Sequence, residues 1–462
     1  AERAKQLGSV GKVLAEFVTK TAGYLHDHGR AVIFWGEYPL KPDDIASLPN
    51  YLINGEMYGP RFDPVFRAHG IKQMVYTSTV GEEQLFPQYY VLPSSERLHP
   101  ARHSQGRVQE MWEHTAFTSL DNLSSTRPDF AKADQADVIG QFVAGWADPG
   151  LHTETMWLGY ATGPAVAWNR ATSSPTEAQS SFYRLFYGPG TIDMGRLYQL
   201  MSVQAQSWED SWETGPSAAR SPILGNSYGI FNPPRPAHDQ YLPLLPVPAP
   251  ALLRLGHDWG LENRKRLELA GTFLAQNDQL VDLLHANLDH IQFNRYNLRV
   301  YLSITALYRQ NLIMLQDLGR ISDALKTAEA NAGRGEAEKA VASLDRAINI
   351  AENIREQRNR VLQAATDTWY ESWFPRVAEA NGRKYLDRVD DVKDHQPVRT
   401  VDMTYLVYRE LLYPLGDWAD KVIAARNEYA SAHKLPSRNY RLDWNDTSTA
   451  VTAARTPDDS DN

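Results

Sequence analysis

The sequence predicts an α/β plus all-α protein: the second half of a TIM-type (β/α)8 barrel followed by a long-helix bundle domain. Short, nearly continuous apolar runs alternate with polar or helical connections in the first third of the chain. A stretch rich in Pro and Gly follows at 215–250. Beyond it, long segments free of Gly and Pro carry apolar residues at helical spacing. These three textures set expected boundaries of 1–214 for the half-barrel, 215–250 for a linker, 251–435 for the bundle and 436–462 for a polar, disordered tail.

The chain opens in a helical pattern. Val10, Val13, Leu14, Phe17, Val18, Tyr24 and Leu25 share a helical period, and Gly29 ends the run. A chain that opens this way is expected to have been cut from something longer. Four runs then read as strands: Ala31–Trp35, Tyr51–Asn54, Gln73–Ser78 and Val138–Trp146. They are apolar almost throughout, as strands buried on both faces of a parallel sheet must be. Each ends in a polar or aromatic tip: Trp35-Gly36-Glu37, Gly55-Glu56, Tyr76-Thr77-Ser78 and Trp146-Ala147-Asp148. In β/α barrels, functional side chains sit at these C-terminal strand ends. Four strands make half of a barrel, which takes about 250 residues in full. Half a barrel leaves two open edges, so the remaining strands are expected from a second polypeptide or a preceding segment. A smaller self-contained sheet is the alternative.

Residues 150–214 are expected to be helical and aromatic, with Trp157, Tyr160, Trp168, Phe182, Tyr183, Phe186 and Tyr187 mostly packed on the outside of the sheet. Trp208 and Trp212 lie four residues apart, on one helical face. After the linker, Leu280, Leu283, Leu284, Leu288 and Ile291 begin a helical pattern that resumes over Leu298–Leu318. Gly333 and Gly335 break it. Ala340, Leu344, Ala347, Ile348, Ala351 and Ile354 then form the stripe of a second long helix, with Asp345, Arg346 and Glu352 outside it. A last helical region, Met403–Ala430, is expected to kink or split near Pro414 and Gly416.

Composition excludes several functions. Lys and Arg number 47 against 56 Asp and Glu, a net charge of -9 with no basic run, so nucleic acid is not an expected partner. Cys is absent, which removes disulfides, thiolate metal sites and a cysteine nucleophile. No apolar stretch is long enough to span a bilayer; the run near Leu242–Leu255 is cut by Pro243, Pro246, Pro248 and Pro250. His26 and His28 face different ways on a helix, and His285 and His290 lack the spacing of a metal-binding pair, so no metal or other cofactor is expected. No phosphate loop occurs.

The tips make a consistent chemical set. Trp35 and Trp146 offer flat walls, Glu37 and Asp148 accept hydrogen bonds from hydroxyls, and the phenol of Tyr76 can donate one. Aromatic walls with a few convergent polar groups suit a carbohydrate better than a phosphate or a metal. The 12 Trp and 23 Tyr agree with that reading, although a Trp-rich core would also account for them.

The order FWGE, a strand ending in Tyr76, then FVAGWAD followed by a Trp-bearing helix resembles family 20 glycoside hydrolases, the β-N-acetylhexosaminidases. The resemblance covers about residues 5–190, the part of that barrel after its catalytic Asp-Glu pair. It implies that Trp35 lines the pocket and that Tyr76, the catalytic assignment, donates to the substrate's acetamido oxygen. It further implies that Trp146 is a stacking wall and that Asp148 holds sugar hydroxyls. Ser78 stands two residues after the tyrosine, where the family keeps a carboxylate near it, and a serine cannot stabilise a developing positive charge. The family's His-x-Gly-Gly-Asp-Glu stretch, which holds the general acid, does not occur in this sequence. Loss of such an acid removes about 10²–10⁴-fold in rate.

The resemblance therefore implies part of a hydrolase acting on terminal N-acetylhexosamine by substrate-assisted retaining hydrolysis, with the acid supplied from outside this sequence. It also implies a periplasmic or extracellular location. The alternative is a non-catalytic barrel-plus-helical scaffold or glycan-binding subunit, with the helical domain serving oligomer assembly.

Overall fold

The computed structural model describes residues 2–35, 39–55, 62–77, 138–143, 152–168, 175–212, 242–372, 377–380, 382–386 and 415–439. Two units divide the chain. The first comprises Ala1–Glu83, Ala101–Trp146 and Met156–Leu185; the second comprises Gln84–Pro100, Ala147–Thr155 and Phe186–Asn462.

Unit 1 opens with α1 (Glu2–Leu7) and α2 (Val10–Asp27). The side chain of Ser9 accepts from the Lys12 amide and caps α2, and Gly29 supplies the left-handed φ of 71° just past its end. Strand β1 (Ile33–Phe34) leads to α3 (Pro42–Ile45), β2 (Ile53–Asn54) to α4 (Asp63–Ala68), and then come β3 (Lys72–Thr77) and β4 (Val138–Val143). All three pairings are parallel, in the order β1-β2-β3-β4. Strand order that follows chain order, without reversal, is the singly wound arrangement, and it puts every strand's C-terminal end on the same side. Helix α5 (Trp157–Trp168) packs on β4, and α6 (Pro175–Tyr187) belongs to this unit through Leu185.

The core of unit 1 lies where α2, α3 and α4 meet, with Ala15, Ala22, Ile45, Leu48, Phe66 and Ile71 buried. It contains more small residues than the α2 pattern suggests. Val10, Phe17 and Tyr24 are exposed, while Gly11, Ala15 and Ala22 form the buried face. The small face lets α3 approach closely: a Cβ on Gly11 would stand 2.2 Å from an Asp44 carboxylate oxygen.

Unit 2 is helical. Its long members are α7 (Met194–Trp212), α9 (Arg264–His290), α10 (Arg295–Gly333), α11 (Ala337–Trp369) and α12 (Leu415–Ala432), with the short α8 (Trp259–Glu262) before α9. Helix α10 is the centre: it packs on α7, α8, α9 and α11, and 22 of its residues are buried. Residues 242–250 run against these helices. Leu242 and Leu245 are buried, Trp259 Nε1 donates to the Pro243 carbonyl at 2.7 Å, and Trp418 Nε1 donates to the Pro246 carbonyl at 3.0 Å. Prolines have a carbonyl but no N–H, so such a stretch docks by accepting. A hairpin of β5 (Val377–Ala380) and β6 (Arg383–Leu386) follows α11.

The α/β plus helical class is thus present: a small four-stranded parallel sheet and a mostly helical remainder. No closed barrel is present among the described residues. The strands are shorter than the apolar runs, because Ala31, Val32, Tyr51 and Leu52 precede the paired stretches. Outside packing does not describe two of the aromatics. Trp168 is 93% exposed, and Tyr187 is buried within unit 2, where its hydroxyl donates to Asn297 Oδ1 at 2.6 Å. Among the described residues no helix is long and apolar enough to cross a membrane. Of the tail expected over 436–462, the first residues are held in place, the Pro436 carbonyl accepting from Arg426 at 2.7 Å and the Arg438 amide donating to Asn427 Oδ1 at 2.9 Å, and the part from 440 onward lies outside the described residues.

Candidate functional site

The strand tips of unit 1 are built from the sheet upward. The carbonyl of Val32 accepts from the Ile53 amide at 3.0 Å and that of Phe34 accepts from the Gly55 amide at 2.7 Å, which locks the β1 and β2 ends together. Trp35 follows directly. Its indole lies over Gly55, where a Cβ would come within 3.1 Å of two ring carbons. Gly55 is therefore the residue that lets the indole lie down across the end of β2.

The same indole meets the Phe142 ring at a centroid distance of 5.4 Å and a tilt of 33°. These rings come from the first and last strands. On a flat sheet the two strand axes would stand roughly 14 Å apart, so the pair spans the intervening strand ends. Trp35 remains 45% exposed, leaving part of the indole open to a ligand. Phe142 is aligned in the β3–β4 ladder with Tyr76. The ladder therefore brings the backbone of Tyr76 to the strand position beside the aromatic pair.

Beneath the tips lies a buried amide pair. Asn54 Nδ2 donates to Gln73 Oε1 at 3.1 Å, and Gln73 Nε2 donates to the Asp63 carbonyl at 3.4 Å. Asn54, Gln73 and Asp63 are each fully buried. A polar link between neighbouring strands in an otherwise apolar sheet holds their register, since a slip would leave both amides unsatisfied.

Of the expected site residues, Trp35 is at a tip and Tyr76 is near the end of β3. Glu37, Ser78, Trp146 and Asp148 lie outside the described residues. Gly55 was named with Glu56 as a strand tip, but Phe142 and the Asn54–Gln73 pair were not singled out by sequence reasoning. Asn54 and Gln73 could have been found, because each is a polar residue inside an apolar strand run. Phe142 carries no such signal.

A second polar cluster occurs in unit 2. His152 Nε2 stands 3.2 Å from Tyr296 Oη and 3.3 Å from Ser372 Oγ. A serine beside a histidine invites a nucleophile reading, but the hydrogen bonding opposes it. The Glu154 amide donates to His152 Nδ1 at 3.2 Å, so Nδ1 is the unprotonated nitrogen and Nε2 carries the hydrogen. An Nε2–H facing Ser372 cannot take the serine's proton. Among the described residues no group of three or more His, Asp or Glu could hold a metal ion.

No protein family, no curated protein and no solved structure matches this chain.

Proposed function

We propose that unit 1 contributes the binding walls of a glycoside hydrolase pocket for a terminal N-acetylhexosamine. The observation that carries this reading is the Trp35 indole, half-exposed at a parallel-sheet tip, lying on Phe142 beside the strand position of Tyr76. A flat, partly open indole at the C-terminal end of β1 suits the apolar face of a sugar ring. Chain-ordered parallel strands support a β/α barrel as the larger architecture, completed by a preceding segment or a partner chain.

The reaction would be substrate-assisted. The acetamido oxygen attacks the anomeric carbon as the glycosidic bond breaks, and an acid from outside this sequence protonates the leaving oxygen. Water then opens the oxazoline with net retention. Tyr76 would donate to the acetamido oxygen, Trp35 and Trp146 would wall the ring, and Asp148, Glu37 and Ser78 would take its hydroxyls. No cofactor enters. The missing Asp-Glu pair favours a second reading, a glycan-binding or scaffold subunit without turnover.

An aryl N-acetylglucosaminide assay on the complete assembly tests the first reading. Tyr76→Phe is expected to lower kcat by about 10²–10³-fold, as loss of one donor to a developing charge does. Asp148→Ala is expected to lower kcat/KM by about 10–100-fold, the worth of a charged hydrogen bond. Full activity in both variants would sink the assignments. Sugar binding lost in Trp35→Ala without turnover in the parent would select the second reading.

A further inference from the structure

In unit 2 the segment His152–Thr155 is fastened to the helices by a histidine whose hydrogen bonds require the neutral ring. The imidazole is 1% exposed. Its Nε2 faces Tyr296 of α10 and Ser372 beyond α11, and its ring meets Trp369 edge-on at 5.5 Å. The donors around it form a consistent set. Ser372 Oγ donates to Tyr296 Oη at 2.9 Å, and Tyr296 Oη donates to the Thr368 carbonyl at 2.8 Å. Nδ1 accepts from the Glu154 amide within the same turn.

We propose that His152 is an acid-sensitive latch, holding the His152–Thr155 segment on the ends of α10 and α11 while neutral and releasing it when Nδ1 is protonated. A proton on Nδ1 would point at the Glu154 N–H, two donors face to face at a nitrogen separation of 3.2 Å. The turn has to open to relieve that contact. Opening it also pulls on the Asn297 side chain, whose Nδ2 donates to the Glu154 carbonyl at 2.8 Å.

The other charged and titratable groups here do not cancel the effect. The Glu154 carboxylate accepts from Asn297 Nδ2 at 2.9 Å, and Glu371 is taken by Arg299 in an exposed ion pair. Burial, the largest cause, raises the pKa of Tyr296, which keeps its phenol neutral throughout the acid range. The carbonyls at the end of α11 favour a cation, as helix C-termini do. Burial outweighs them: desolvation pushes the His152 pKa from 6.5 down to about 4, against the opposing effect of a hydrogen bond that the ring donates to the Trp369 backbone.

The sign follows from that depression. Above pH 6.5 the ring is neutral whether docked or released, and the latch is at full strength. Between 6.5 and about 4 only the released form takes up the proton, so release is favoured progressively. Below about pH 4 the gain in release reaches its limit, about 300-fold for a shift of this size. The latch does not rest on the glycan reading.

Two readouts on the full chain test it. Slow deuterium exchange at the imidazole carbon between the two nitrogens, read by mass spectrometry of the peptide holding His152, gives that residue's own titration. A midpoint well below 6.5 is expected; a midpoint at 6.5 or above overturns the latch. Backbone amide exchange over residues 152–156, corrected for intrinsic rates, is expected to rise as pH falls from 7.5 to 4.5. In His152→Gln it is expected to stay flat, and an equal acid-induced rise there overturns the latch. Should His152→Gln fail to fold, the imidazole titration of the parent decides alone.

Discussion

At Gly11 the helix α2 touches the turn before α3 with nothing between them. A Cβ there would sit 2.2 Å from Asp44 Oδ2 and 2.7 Å from the Pro39 carbonyl. The carboxylate cannot simply swing aside, because the same Oδ2 accepts from the Lys41 amide at 2.9 Å and caps α3. Gly11→Ala therefore forces either the helix or the cap to move. Overpacking of this kind costs about 1–3 kcal/mol. Gly195, at the start of α7, has open space where its Cβ would go, and Gly195→Ala is expected to hold or raise stability. Urea unfolding of both variants checks the pair: Gly11→Ala as stable as the parent would mean that α2 and α3 are not in close contact.

Elements were legible where one face is uniformly apolar. The stripe Ala340, Leu344, Ala347, Ile348, Ala351 and Ile354 is fully buried on α11, and the expected break is present, Gly333 being the last residue of α10 and Gly335, with a φ of 74°, lying between α10 and α11. Ile348→Ala is accordingly expected to cost about 2–5 kcal/mol, and Arg346→Ala on the exposed face less than about 0.5 kcal/mol, both read from thermal or denaturant unfolding. A small loss at Ile348 would remove the stripe from the core.

Legibility ended where polarity and burial part. Arg358 falls on that same helical face, four residues from both Ile354 and Leu362, and is fully buried with its Nε and Nη2 on Asn359 Oδ1. Polarity assigns such a residue to solvent even where the period puts it inside, because only tertiary partners make its burial tolerable. The β5–β6 hairpin has its signal in Asn381-Gly382, with Gly382 at a φ of 70°, but its strands are too short and polar to stand out from an apolar pattern. At the site, the tip Trp35 was legible because aromatic residues at strand ends are costly without a use. Its contact with Phe142 was not, since pairing between the first and last strands depends on how the sheet curves.

For the whole molecule, the proposal turns on how the sheet of unit 1 ends. Strands β1 and β4 each hydrogen-bond to one neighbouring strand among the described residues, and β1 has only Ile33 and Phe34 in its ladder. Parallel strands are stable when both faces and both edges are covered, and an uncovered edge recruits another chain. If a pocket is assembled here from strand tips, further β/α segments have to border β1 or β4. Native mass spectrometry of the protein from its natural source is expected to show a mass above the 52.2 kDa of this chain, in an added segment or an associated polypeptide. In that assembly the amides of β1 and β4 are expected to exchange as slowly as those of β3, and to lose protection when the chain is studied alone. Equal protection of edge and inner strands in an isolated monomer would identify a self-contained sheet. The Trp35–Phe142 pair would then be the rim of a small domain, and the half-pocket reading would fall with the missing strands.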